Sequence, residues 1–238
     1  MKGVILAGGH GTRLNPLTCI TNKHLLPVFN KPMILYPIET LISRGIKDIL
    51  IVSGGEYMGR FTEFLGDGNR FGVNLTYRVQ EEAGGIAEAL GLAKDFVADD
   101  SVTVILGDNI FENKYIPEFE IEKEKAYIFT KKVKNPERFG VISLTEFGKE
   151  GEPLIVEKPK KFIGDRAVIG LYIYPNDVFD VIPTLKKSSR GELEVTDLNN
   201  HYLREGRGVV KNIKGFWSDA GTHDSLLESA KWAQNNMK

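Results

Sequence analysis

Three glycines and a guanidinium follow directly on the first apolar run of the chain, in Leu6-Ala7-Gly8-Gly9-His10-Gly11-Thr12-Arg13-Leu14. Gly8, Gly9 and Gly11 let backbone N–H groups face open space and let a ligand come close, as an anion cradle requires. Arg13, just beyond that nest, suits a nucleotide triphosphate, where charge builds up as pyrophosphate leaves. Two other nucleotide loops are excluded. A dinucleotide fingerprint needs glycine where Leu14 stands, and a Walker loop needs Gly-Lys-Ser/Thr, which Thr12-Arg13 does not supply. A turn without function would leave Thr12 and Arg13 unexplained. Ten residues after Arg13, Lys23 lies among apolar residues and prolines in a segment that cannot be regular helix. It is a second candidate for a phosphate contact.

Carboxylates come next. Asp108, in Gly107-Asp108-Asn109, and Asp219, in Trp217-Ser218-Asp219-Ala220-Gly221-Thr222, each read equally as turn residues. Magnesium at a triphosphate, however, takes one or two carboxylates besides phosphate oxygens and water. Glu157-Lys158-Pro159 pairs a carboxylate able to bind sugar hydroxyls with a cation able to bind phosphate, or is a surface ion pair. His10 and His24 flank the phosphate region and read as incidental rather than as acid–base catalysts. A single cysteine, Cys19, excludes an intramolecular disulfide and a Cys-rich zinc site. It is expected to pack as a small apolar residue rather than act as a nucleophile.

These residues need a frame. Short apolar runs at Gly3–Leu6, Asp48–Ser53, Leu75–Val79 and Val102–Leu106 read as strands. Between them, Met33–Ile42, Tyr57–Leu65 and Ile86–Phe96 read as helices, the first beginning near Pro37 or kinked there. This alternation predicts an α/β fold, Rossmann-like, with a doubly wound, mostly parallel sheet. Ligands of such sheets bind beyond the carboxyl ends of the strands, where the Gly8–Arg13, Gly54–Glu56 and Gly107–Asn109 loops fall. From about residue 126 strands dominate, at Tyr127–Lys132, Gly140–Leu144, Leu154–Glu157 and Val168–Tyr174. They are read as an inserted mixed or antiparallel portion laid over the first half. Helices at Asn176–Leu185 and Glu194–Arg204, a strand near Val209–Ile213 and a capped helix at Ser225–Gln234 complete the chain. No linker or repeat interrupts it, so one domain over 1–238 is expected, with halves at about 1–125 and 126–238.

Composition narrows the function classes. Of 238 residues, 42% are hydrophobic and 26% charged, as in an ordinary globular protein. Thirty-one basic against 32 acidic residues give a net charge of −1, which argues against a nucleic-acid partner held by broad phosphate neutralisation. No run is apolar for long enough to serve as a signal peptide or to cross a bilayer, so a cytoplasmic protein with no membrane partner is expected.

The chain resembles the sugar nucleotidyltransferases, in their glucose-1-phosphate thymidylyltransferase branch. The resemblance rests on separated blocks in one order: LAGGHGTRL (6–14), NKHLLPV (22–28), NKPMILYPIETL (30–41), GDNIF (107–111), ERFGVI (137–142), EKP (157–159), VIGLYIY (168–174), RGELEVTDLN (190–199) and WSDAGTH (217–223). It implies magnesium on Asp108 and Asp219, and catalytic roles for Arg13, Lys23, Asp108 and Lys158. It implies a nucleotide site at Leu6, Gly8, Gly9, Gly11, Thr12, Arg13, Gln80, Gly85 and Asp108. Gln80 would read the pyrimidine edge, since its amide both donates and accepts. It further implies a sugar-phosphate site at Asn109, Gly140, Glu157, Lys158, Val168 and Arg190.

The reaction so implied joins dTTP to glucose 1-phosphate, giving dTDP-glucose and pyrophosphate for dTDP-deoxysugar biosynthesis of the rhamnose type. UTP or another hexose 1-phosphate on the same scaffold is the near alternative, and a noncatalytic nucleotide-sugar-binding regulatory protein the distant one. Ala83, Gly84, Phe139 and Ala220 depart from the residues usual in the family. The resemblance is to its short form, which implies weakened feedback by the nucleotide-sugar end product. It also implies an assembly other than the usual tetramer, with a homo-oligomer left open.

Overall fold

The computed structural model describes residues 1–143 and 154–236. Leu144, at the end of one expected strand, lies outside the described residues. Four strands form one parallel block of a nine-stranded sheet: β1 (Lys2–Leu6), β4 (Asp48–Gly54), the more exposed edge β5 (Asn74–Gln80) and β6 (Val102–Leu106). Between β1 and β4 come two-residue strands β2 (Pro27–Val28) and β3 (Lys31–Pro32), which pair with each other. The large sheet runs β10-β9-β11-β6-β1-β4-β5, with β8 on β11 and β12 on β8. Here β7 is Asn109–Phe111, β8 Ala126–Lys132, β9 Gly140–Ile142, β10 Ile155–Glu157, β11 Arg166–Tyr174, β12 Gly208–Asn212 and β13 Trp217–Asp219.

The uninterrupted apolar strands follow from helices on both faces. Alternate residues of β1 serve opposite cores. Val4 and Leu6 face Ala87, Leu90, Val195, Leu198 and Tyr202, whereas Ile5 and Ala7 face Ile34, Ile38, Leu41, Phe61 and Leu65. The first group belongs to α3 (Ile86–Gly91) and α6 (Val195–Arg204); the second belongs mainly to α1 (Leu35–Ser43) and α2 (Gly55–Leu65). Pro37 sits in the first turn of α1, where its missing N–H has no intrahelical acceptor to lose. The segment expected as one helix from Ile86 to Phe96 is broken after Gly91, and α4 covers Lys94–Val97. Likewise Asn176–Leu185 yields only α5 (Val178–Val181) and a 3-10 turn through Pro183, whose ring cannot donate.

The mixed portion extends the same sheet at its β6 edge, because β11 pairs antiparallel with β6, rather than lying over it. After β12 the chain returns, and β13 pairs antiparallel with β7, Asp219 opposite Asn109. The last helix, α7 (His223–Asn236), starts with a reciprocal cap in which Ser225 N–H donates to Thr222 Oγ1 and Thr222 N–H to Ser225 Oγ. Among the described residues, no helix is long and apolar enough to cross a membrane.

Candidate active site

Register sets the site. Leu6 lies level with Val52 and Leu106, and Gly54 with Gln80, so the carboxyl ends of β1, β4, β5 and β6 share one edge. There Leu6, Gly8, Gly9, Gln80, Gly85 and Asp108 line a cleft of about 280 Å3, together with Lys23, His24, Ile86 and Leu106. Gly8 lets Gln80 fold close over the loop, since a Cβ there would come within 2.5 Å of Gln80 Oε1 and push that side chain aside. Gly11 sits at φ 67°, and its carbonyl accepts from Thr18 Oγ1 at 2.9 Å. Thr12 and Arg13 continue on an exposed 3-10 turn and, like Gly11, are not among the residues lining the cleft.

At the cleft floor, Lys23 Nζ meets Asp108 Oδ2 at 2.5 Å. Asn109 Nδ2 donates to Asp108 Oδ1 at 2.9 Å, and Asn109 Oδ1 accepts from Gly170 N–H and Trp217 Nε1. That places Asn109 as a brace between Asp108, β11 and β13. Burial alone would raise the Asp108 pKa, but the charge and hydrogen bond of Lys23 and the Asn109 amide outweigh it. Its carboxyl stays well below the usual range.

His24, which the sequence leaves without a role, is buried and lines the same cleft. Its Nδ1 lies 2.6 Å from Asn22 Oδ1, which puts the proton on Nδ1. Burial first and the Lys23 charge second push its pKa down to about 3, so the ring is neutral at physiological pH. A Cβ on Gly107 would strike it at 2.7 Å. The ring is thus a packed spacer beneath the Gly107-Asp108 turn. Cys19, by contrast, is exposed rather than packed.

Asp219 arrives beside Asn109 on β13. Its neighbour Gly221 lies between the two halves, since a Cβ there would sit 3.0 Å from Arg13 Nη2 and 3.5 Å from Asp108 Oδ2. Arg13 thus stands near the carboxylates, and its charge acts on Asp219, although it lies outside the cleft. Burial, then the Asp108 charge, push Asp219 up to about 6, with Arg138 and Arg13 opposing. The folded chain therefore keeps a proton that the unfolded chain releases near pH 4, and stability falls as pH rises from about 4 to 6. A rise from 3.8 to about 6 corresponds to about 3 kcal/mol.

Two carboxylates in mutual repulsion fit a divalent cation. Among the described residues there is no group of three or more His, Cys, Asp or Glu that could hold one, so phosphate oxygens and water would complete its shell. The cation would relieve the repulsion. Its effect on melting temperature should therefore be small at pH 5 and grow to several degrees at pH 7.5. Thermal melts with and without magnesium at both values check this, and equal shifts would contradict it.

On the other side of Asn109, Glu157 Oε2 accepts from Thr196 Oγ1 at 2.7 Å, and Gly140 pairs with Glu157 across β9–β10. Lys158, at φ 44°, places Nζ 3.6 Å from Glu157 Oε1. Arg190 is engaged by Glu194 through Nε at 3.2 Å and Nη2 at 2.8 Å, and lies 3.6 Å from Glu157. Any phosphate it binds has to compete with those carboxylates. Val168 is buried in the core beside them.

A glycine loop and a buried Lys–Asp pair at one strand edge, with a second carboxylate on the neighbouring β13, suit group transfer from a nucleotide on an α/β sheet. The nucleotidyl transferase family model matches residues 2–236, and the chain belongs to that family. A glucose-1-phosphate thymidylyltransferase of Neisseria meningitidis serogroup A is 44% identical over 98% of this chain and 83% of its own length. A Bacillus anthracis protein assigned as a glucose-1-phosphate thymidylyltransferase, solved with sucrose, is 49% identical with a TM-score of 0.90, covering 99% of this chain and 96% of that one. UDP-glucose pyrophosphorylase, solved with UDP-glucose, shares the fold at TM-score 0.82 and 21% identity over 98% of both chains. The chain is accordingly a nucleotidyltransferase.

Proposed function

We propose that this chain joins dTTP and α-D-glucose 1-phosphate to give dTDP-glucose and pyrophosphate, in the cytoplasm and as one functional domain. The observation that carries the reading is the convergence of the glycine loop, the Lys23–Asp108 pair and Gln80 on one cleft. The names of relatives at 44% and 49% identity support the choice of substrates.

A phosphate oxygen of the sugar 1-phosphate attacks the α-phosphorus in line, the bond to the bridging oxygen breaks, and pyrophosphate leaves. The attacking oxygen is already anionic at neutral pH, so no general base is needed, and positioning with charge stabilisation carries the rate. The N–H groups of Gly8, Gly9 and Gly11, with Thr12 and Arg13, hold the triphosphate. Lys23 neutralises charge at the reacting phosphate. Gln80 and Gly85 meet the base, beside the apolar Leu6, Ile86 and Leu106. Asn109, Gly140, Glu157 and Val168 shape the sugar pocket, and Lys158 and Arg190 hold its phosphate. Magnesium held by Asp108 and Asp219 would supply counter-charge to the phosphates as pyrophosphate forms.

A pyrophosphate-release assay over dTTP, UTP, ATP and GTP against glucose, galactose and mannose 1-phosphates tests this. The highest kcat/KM should fall on dTTP with glucose 1-phosphate. UTP should follow closely, since a buried methyl contributes about 1 kcal/mol, roughly fivefold. No turnover in any combination with magnesium would refute the reading.

A further inference from the structure

Each carboxylate of the pair carries a side-chain cation of its own. Lys23 sits on Asp108, and Arg138 Nη2 lies 3.4 Å from Asp219 Oδ2. The second contact is single and long, unlike the bidentate grip an arginine can make on a carboxylate. Arg138 ends the 3-10 turn Pro136–Arg138 just before β9. The carbonyl of its neighbour Phe139 accepts a hydrogen bond from Lys158 N–H at 2.9 Å, so the turn that carries Arg138 adjoins the Glu157–Lys158 segment. The guanidinium lies over the Phe139 ring, 5.4 Å from its centroid, and that ring meets Trp217 edge-on at 5.4 Å. Trp217 is in turn fixed by its N–H to Asn109. One face of the guanidinium thus rests on an aromatic shelf while its side chain stays 37% exposed.

We propose that Arg138 is a positioning residue with two stations: counter-ion to Asp219 before a divalent cation binds, and contact to the sugar phosphate afterwards. The proposal rests on the function given above. The cation and the guanidinium both draw on the Asp219 carboxylate, so the positive charge of Arg138 beside Oδ2 weakens its hold on the cation. With Lys23 and Arg138 already set against the two carboxylates, a divalent cation is held weakly by the free chain and more tightly once incoming phosphate adds negative charge. The displaced guanidinium, anchored over Phe139, is left next to Lys158, where the acceptor phosphate binds. Uncharged Gln at this position would give up both stations; Lys would keep the charge and give up the planar stacking.

Manganese titration of the full chain by electron paramagnetic resonance, without nucleotide, tests the first station. Arg138→Gln should bind manganese about tenfold more tightly than the parent chain, with Arg138→Lys close to the parent. Steady-state assays test the second: KM for glucose 1-phosphate should rise about tenfold in Arg138→Gln while KM for dTTP stays within about twofold. Tighter metal with a weaker acceptor is a pair of opposite effects that loss of packing would not produce. Unchanged or weakened manganese binding in Arg138→Gln would overturn the proposal, as would equal rises in both KM values. The metal titration needs no turnover, so it decides the counter-ion role even if no nucleotide and sugar combination reacts.

Discussion

Asp108→Asn should lower kcat by at least about a thousandfold while the chain stays folded. Loss of one preorganised electrostatic partner costs about 10²–10³ in kcat, and here a cation ligand is lost with it. Asparagine keeps the shape and can still accept from Asn109, which now donates to Asp108 Oδ1 at 2.9 Å. What disappears is the charge that Lys23 meets at 2.5 Å and that the cation would need. Circular dichroism should match the parent, and pyrophosphate release under saturating magnesium gives the rate. Asp224→Asn, in the first turn of α7 and exposed, is the control and should stay within about twofold. A loss below tenfold in Asp108→Asn would remove Asp108 from the chemistry.

Lys23→Met should be the more damaging change to stability. Taking the cation from a buried pair leaves an uncompensated carboxylate, at about 3–5 kcal/mol. For a chain of this size that lowers Tm by about 6–20 °C. The pH dependence carries the diagnosis. In the parent the folded Asp108 pKa is depressed, so its contribution is present above the unfolded value near 4 and is lost as pH falls. The deficit of Lys23→Met should therefore be largest at neutral pH and shrink below about pH 4. Magnesium should recover part of it at pH 7.5 by supplying the missing charge. Thermal melts at pH 3.5 and 7.5 decide the matter; a deficit equal at both and indifferent to magnesium would show that only methylene packing was lost.

The parallel strands were legible because both faces are covered, which leaves apolar runs such as Val4–Leu6 and Ile49–Val52 unbroken by polar residues. The loops at their ends were legible from their glycines, of which Gly11 holds φ 67°. Three-residue strands β7 and β13 were not, since their pairing partner is about a hundred residues away and nothing local marks it. The single reading of Ile86–Phe96 as one helix failed because apolar periodicity continues across Gly91 although the backbone does not. His24 looked idle in sequence; its burial depends on Gly107, which is adjacent only after folding. Arg138 was visible within ERFGVI, yet its contact with Asp219 crosses 81 residues and has no signature of its own.

The β7–β13 pairing also sets when the chain acquires its chemistry. Trp217 and Asn109, joined by a hydrogen bond, stand 108 positions apart. Closing a loop of that length costs about 4 kcal/mol in chain entropy before the contact repays any of it. During synthesis the strands carrying the glycine loop and Asp108 can pair long before residue 219 leaves the ribosome. Such a nascent chain has the glycine loop and Asp108 but lacks the second carboxylate that the proposed function requires. Under the proposed function, activity therefore waits for the return of the chain that sets Asp219 beside Asn109.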